Sequence, residues 1–173
     1  MILIVLIVFT GCGQNRITEK EEKKETVESE MNAEVKKTAQ TFRSVYMKEK
    51  SELNTLKVKR KIINCLEEKG YAAVDCDNQI DMVNREKVED FCKAAEKEEQ
   101  AAVDIVVVFD EGEIIQYHLE SMNGKINVRL CQVKWKDNSP QANYYDEYEA
   151  YEWKYTEKGY LVLEEYHPPG FDG

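Results

Sequence analysis

Residues 103–135, VDIVVVFDEGEIIQYHLESMNGKINVRLCQVKW, decide the fold. Val103 to Phe109 is an apolar, β-branched run of strand length, and Asp110-Glu111-Gly112 closes it with a turn. Ile115, Tyr117 and Leu119 then alternate with polar residues, the period of a strand with one buried face. Asn123-Gly124 is the strongest two-residue hairpin signal, because both residues tolerate the positive φ of a type I′ turn. Beyond it the apolar residues run Ile126, Val128, Leu130 and then Cys131, Val133, Trp135. Parity flips between Leu130 and Cys131, which predicts either a strand buried on both faces or a β-bulge.

Downstream, a polar loop with Pro140 leads to a strand over Tyr145 to Tyr155, and Glu157-Lys158-Gly159 turns the chain into a last strand over Tyr160 to Tyr166. Upstream, the apolar period lengthens to that of helices. Met31, Val35, Thr38, Phe42 and Val45 form one stripe, which lapses at Lys48 to Glu52. It resumes through Leu53, Leu56, Ile63 and Leu66 to Gly70, a good C′ residue. The spacing predicts two helices with a break near Ser51. A third follows Asn84 as N-cap, with Val88, Phe91, Cys92 and Ala95 on its buried side. Short connections between the strands require antiparallel neighbours, since parallel ones need long crossovers. The expected fold is therefore α+β, with N-terminal helices packed on one face of a five-strand antiparallel β-meander.

Ahead of the helices, Ile2 to Phe9 is an apolar run too short to span a bilayer, which takes about 20 residues. It suits the h-region of a signal peptide, roughly 7 to 15 residues. The string that ends it, Phe9-Thr10-Gly11-Cys12, resembles the lipobox of bacterial lipoproteins, with Phe9 in place of the usual Leu. The resemblance implies diacylglyceryl transfer to the Cys12 thiol, cleavage after Gly11 and a mature chain that begins at Cys12. Two or three acyl chains, at about 0.8 kcal/mol per buried methylene, hold a protein stably at a membrane surface. No Lys or Arg precedes the run, and an initiation codon upstream of Met1 would supply one.

Residues 13–33 are almost wholly polar, with Glu19-Lys20-Glu21-Glu22-Lys23-Lys24-Glu25 at their centre, and read as a flexible or loosely helical spacer. The expected organisation is a signal peptide over 1–11, a charged tether over 12–33, one α+β domain over 34–167 and an irregular tail over 168–173. The chain has 34 acidic and 24 basic residues, a net charge of −10, and from Asp110 onward 13 acidic residues face 6 basic ones. That balance argues against nucleic acid as a partner and against an electrostatic hold on anionic lipid.

The aromatic and acidic stretch Tyr144 to Tyr155 offers a candidate platform for a peptide or sugar. Alternation places Tyr151, Trp153 and Tyr155 in the core, leaving Tyr145 and Tyr148 with the carboxylates of Glu147, Glu149 and Glu152 as the exposed members. Asp75, Asp77, Asp81 and Glu86 carry the outline of a calcium loop. Ile80, however, stands where such a loop requires Gly, so turn and capping roles are expected and no metal. Cys65, Cys76, Cys92 and Cys131 show no Cys-x-x-Cys spacing. In an exported chain they permit two disulfides, while the apolar setting of Cys92 and Cys131 favours reduced core thiols. Of the two histidines, His118 lies opposite the apolar side of its strand and His167 opens the Pro-rich end. No motif joins either to a nucleophile, so no catalytic residue and no cofactor are expected.

Gly70-Tyr71, Asp81-Met82-Val83-Asn84, Gln132-Val133-Lys134-Trp135 and Tyr155-Thr156-Glu157-Lys158-Gly159-Tyr160 resemble an uncharacterised family of lipoproteins from Gram-positive bacteria. The resemblance implies surface anchoring, a chain that continues past Gly173, and no known reaction. The expected function is interaction: a domain anchored to the cell membrane through lipid on Cys12, on its extracytoplasmic face, that holds a peptide, glycan or protein ligand at the envelope. The alternative is an accessory domain or N-terminal fragment of a larger envelope hydrolase, with Glu147 and Glu149 as same-face carboxylates.

Overall fold

The computed structural model describes residues 14–77, 81–157 and 159–166, with side chains from Lys24 onward. Cys12 and the rest of the signal segment, residues 78–80 of the acidic loop, and the tail from His167 lie outside the described residues. In chain order the elements are α1 (Gln14–Gln40), α2 (Arg43–Lys48), α3 (Leu56–Glu68), β1 (Ala72–Asp75), α4 (Arg85–Glu96), β2 (Ala101–Val108), a 3₁₀ turn (Asp110–Gly112), β3 (Ile114–Met122), β4 (Lys125–Lys136), β5 (Ser139–Glu149), β6 (Glu152–Tyr155) and β7 (Leu161–Glu164). Strands β1 to β5 form one sheet in sequence order, while β6 and β7 form a separate hairpin.

Local turn chemistry builds the hairpins. Asn123 and Gly124 take φ of 53° and 76° between the paired Met122 and Lys125, as a type I′ turn requires. A second tight turn at Asp137-Asn138, with φ of 51° and 64°, brings Ser139 opposite Lys136. Pro140 therefore lies inside a strand rather than in a loop. It is tolerated because β5 is a sheet edge, where one missing N–H need not break a ladder. The parity flip of β4 marks a strand buried on both faces, its ladder with β3 unbroken from Ile114 opposite Val133 to Met122 opposite Lys125. Ile126 and Val128 are buried on one face of the sheet and Cys131 and Val133 on the other. The register with β5 also shifts between Gln132 and Val133, leaving Asn143 as the extra residue.

Three features depart from the expected meander. First, the sheet is mixed: β1 runs parallel to β2, from Ala72 opposite Ile105 to Asp75 opposite Val108, with α4 in the crossover between them. All four residues of β1 are buried, so its short run has no alternation to mark it as a strand. Second, helices pack on both faces. From α1, the start of α2 and α3, Val35, Ala39, Phe42, Ile62, Ile63 and Leu66 meet Val106, Val108, Ile114 and Val133 on the first face. From α4, Val88, Phe91, Cys92 and Ala95 meet Ala72, Val103, Leu119 and Val128 on the second. A crossover helix must lie over one face of the strands it joins, and α3 already fills the first. Third, the strand expected over Tyr145 to Tyr155 breaks at Ala150-Tyr151. Ala150 N–H still donates to Ile126 O (2.8 Å), whereas Tyr151 N–H donates to Glu164 O (2.7 Å). The chain thereby leaves the sheet, and the β6–β7 hairpin folds onto the second face through Trp153, Tyr155, Leu161 and Leu163.

The helical half keeps its expected break near Ser51, between Lys48 and Leu56, and gains a smaller one at Thr41-Phe42. Leu56, in the first turn of α3, is 53 % exposed and lies off the buried stripe. Thr55 Oγ1 accepts from Val58 N–H to cap α3. Its C-terminus closes with Gly70 N–H to Glu67 O (2.8 Å) and Tyr71 N–H to Leu66 O (3.1 Å), with Gly70 at φ 84°, the Schellman arrangement. Asn84 does precede α4, but its side chain does not cap it. Its amide donates instead to Tyr71 O (2.8 Å), tying the start of α4 to the end of α3. Helix α1 runs through the boundary expected between residues 33 and 34, and Met31 is already in the core.

Candidate ligand groove

Strand register places three rows on the second face: Val103, Leu119, Val128, Tyr148; then Ile105, Tyr117, Leu130, Asp146; then Val107, Ile115, Gln132, Tyr144. The first row lies beneath α4 and the terminal hairpin. Members of the last row are half-buried or exposed. Where cover gives way to open sheet, a groove of about 340 Å³ forms. Val74 and Met82 line it from β1 and the loop beyond, Ile105, Val107, Tyr117 and Leu119 from β2 and β3, Tyr148 from β5, and Gly159, Tyr160, Leu161 and Leu163 from the hairpin. Burial raises the phenol pKa of Tyr117 and Tyr148, and Tyr148 is raised further by Tyr117, Glu165 and Asp146. Tyr144 is raised by Asp146 first, which also accepts its hydroxyl (3.3 Å), and again by Glu165.

The residues of the expected platform do not share one surface. Tyr148 faces the groove. Tyr145 and Glu147 belong by register to the first face, where Tyr145 OH donates to Glu147 Oε2 (3.1 Å) and burial raises the phenol to about 12. Glu149 accepts from Lys125 Nζ (2.5 Å), and Glu152 lies on β6 directly opposite Glu164. Trp153 and Tyr155 join the second-face core as alternation predicts, but Tyr151, at the chain break, is 64 % exposed against the Tyr166 ring. Period-2 alternation made Tyr117, Leu119, Leu161 and Leu163 readable as one-sided strand residues. Their convergence depends on the break at Ala150-Tyr151, for which no turn residue gives a signal.

The first face carries a charged row, Asp104, His118, Arg129 and Glu147, one from each of β2 to β5. His118 Nδ1 lies 2.8 Å from Asp104 Oδ1, and its Nε2 lies 3.3 Å from Glu120 Oε1. Arg129 Nη2 is 2.7 Å from Glu120 Oε2. The Asp104 hydrogen bond is the main cause that raises the His118 pKa, against partial burial. Both ring nitrogens are thus engaged. On the same face, the Cys131 thiol donates to Asn32 Oδ1 (3.1 Å), and burial pushes its pKa up to about 11. The geometry pairs no imidazole with a thiolate.

The carboxylates of the acidic loop are spread over separate tasks. Asp77 and Asp110 flank the buried Lys59 Nζ at 2.5 and 2.7 Å. Asp81 pairs with Arg60 (2.6 Å), Asp75 is buried at the end of β1, and Glu86 sits in the first turn of α4. Cys65, Cys76, Cys92 and Cys131 are free thiols. Among the described residues no group of three or more His, Cys, Asp and Glu side chains is placed to hold a metal ion, and no helix is long and apolar enough to cross a membrane.

Residues 24–173 match a family of unknown function, DUF6070. The chain belongs to that family. The stretch matched to DUF6070 starts inside α1 and takes in both faces of the sheet and the terminal hairpin, so groove and charged row are built from the family's own domain. No curated protein and no solved structure matches the chain.

Proposed function

We propose that this chain is an extracytoplasmic binding domain, held at the cell membrane through lipid on Cys12, and that the groove beside the terminal hairpin is its ligand site. One observation carries the binding half: an open apolar cleft of about 340 Å³ that includes the phenols of Tyr117 and Tyr148, neither hydrogen-bonded among the described residues. Ligand sites of this kind combine an apolar lining with a few orienting polar groups. Tyrosine supplies rigid contact area and a donor at small entropic cost. The string Phe9-Thr10-Gly11-Cys12 supports the anchor, and the helical, highly charged segment after it would carry the domain clear of the lipid surface.

An alkyne fatty acid fed to cells should label the protein, and the label should vanish in Cys12→Ser; labelling that persists excludes Cys12 as the anchor. Envelope glycans and peptides screened against the purified protein should yield a ligand whose affinity drops about tenfold or more, some 1.4 kcal/mol, in Tyr148→Ala. Binding that ignores this substitution places the site elsewhere.

A further inference from the structure

The sheet has a gap on its β1 side. Strand β1 begins opposite Ile105, so residues 101–104 of β2 pair with β3 alone. The cause is the end of α3: Gly70, at φ 84°, turns the chain away, and the carbonyls of Gly70 and Tyr71 accept from Lys87 Nζ and Asn84 Nδ2. The gap opens as a slot of about 640 Å³, walled by Glu34 of α1 on the first face and by Lys87 and Phe91 of α4 on the second. Gly70 and Tyr71 close one end, and Ala101 to Asp104 form the floor. Cys76 N–H donates to Val108 O (2.9 Å), so the even-numbered residues of β2 turn their main-chain groups toward β1. Ala101, of the other parity, donates its N–H toward β3, to Ser121 Oγ (3.1 Å). By the same alternation Ala102 N–H, Ala102 C=O and Asp104 N–H point into the slot, and no strand of the described residues lies beside them.

Charge does not choose the occupant of this slot, because its lining carries both signs, Lys69 and Lys87 against Glu34 and Asp104. The main chain does choose. A sheet edge that presents such groups is a template for another strand. Donor, acceptor and donor at strand spacing match an extended backbone, and neither a glycan nor a lipid headgroup has that repeat. A second copy of the chain offers its own residues 101–104 only from the floor of the same slot, between α1 and α4, so two such edges cannot meet. We propose that the slot binds an extended segment of another protein, which adds to β2 as a short strand. The site is separate from the groove beside the terminal hairpin. An apolar side chain of the segment lies over Val103 and Phe91, and the residues on either side of it face Glu34 and Tyr71.

The test uses the full chain in detergent and a short fluorescent peptide of alternating Val and Ser. The peptide should bind and slow amide exchange at Ala102 and Asp104, and the same peptide with every amide N-methylated should not bind. Ala102→Pro removes the Ala102 N–H without touching the ladder between β2 and β3, the setting in which an edge strand tolerates proline. It should weaken the peptide about tenfold or more and leave the melting temperature in place. Ala102→Thr, which keeps the N–H, and Tyr148→Ala, in the groove, should bind as the parent does. No binding, equal binding of the N-methylated peptide, or indifference to Ala102→Pro overturns the proposal. Binding lost in Tyr148→Ala and kept in Ala102→Pro overturns it in favour of the groove. Amides of Ala102 and Asp104 that are protected before any peptide is added place a second copy or another part of the chain in the slot, and overturn it as well.

Discussion

His118 stands between two carboxylates on the first face, Asp104 at 2.8 Å and Glu120 at 3.3 Å, and they favour its protonated ring. A histidine whose pKa is higher folded than unfolded contributes stability in full below the unfolded value of about 6.5. That contribution is lost as pH rises through the folded value. Urea denaturation from about pH 6 to pH 8 should therefore show stability falling, and His118→Gln should flatten the curve in that window. A variant as steep as the parent would assign the slope to another group. Lys59 poses a different question, because its side chain is 0 % exposed while those of Asp77 and Asp110 are 67 % and 65 % exposed. Removing the lysine returns two carboxylates to water, whereas removing the carboxylates strands an ammonium in the core. Lys59→Met should thus cost little, and the double change Asp77→Asn with Asp110→Asn about 3–5 kcal/mol. Denaturant midpoints that rank the two variants the other way would show that the carboxylates, not the buried cation, need the pair.

The terminal hairpin has strands of only four residues, too short to persist alone in water. Its hold on the sheet is a set of second-face contacts, with Trp153 Nε1–H donating to Gly124 O (3.2 Å) and Tyr155 OH to Glu89 Oε1 (3.5 Å). Trp153→Ala should release the hairpin locally: amide exchange at residues 152–155 and 161–164 should accelerate while Leu119 and Val128 stay protected. Uniform acceleration would make the hairpin part of the global unfolding unit. The same distinction between local and distant cause separates what could be read in the sequence from what could not. The β3–β4 hairpin, the Schellman end of α3 and the buried side of α4 depend on residues within one turn or one strand pair, and their signals sit at Asn123-Gly124, Gly70 and the 3.6 period through Val88 to Ala95. Strand β1 depends on partners a whole crossover away. Tyr145 and Tyr148 look like one platform as neighbours in sequence, but three residues apart on a single strand they fall on opposite faces of the sheet.

At the scale of the molecule, the open question in the sequence was where tether ends and domain begins, since charge density falls gradually through α1. The structure locates the change by burial. Met31, Val35, Thr38 and Ala39 are all at or below 4 % exposure, and Thr38 Oγ1 donates to Gln116 Oε1 (2.7 Å) in the core of the first face. Asn32 likewise receives the Cys131 thiol. Losing this segment would uncover two large apolar side chains' worth of packing, about 1.5–3 kcal/mol for each fully buried residue of that size. It would also leave the side chain of Gln116 short of a partner, about 1–3 kcal/mol more. Against a typical domain stability of about 5–15 kcal/mol, a loss of about 4–9 kcal/mol removes most of the margin for cooperative folding. A chain that begins at Met31 should melt in one sharp transition close to that of the longer protein, whereas one that begins at Phe42 should show no cooperative melt and bind a dye for exposed apolar surface. If the shorter chain still melts sharply, α1 is an ornament on the sheet and the fold is completed by α3 and α4 alone.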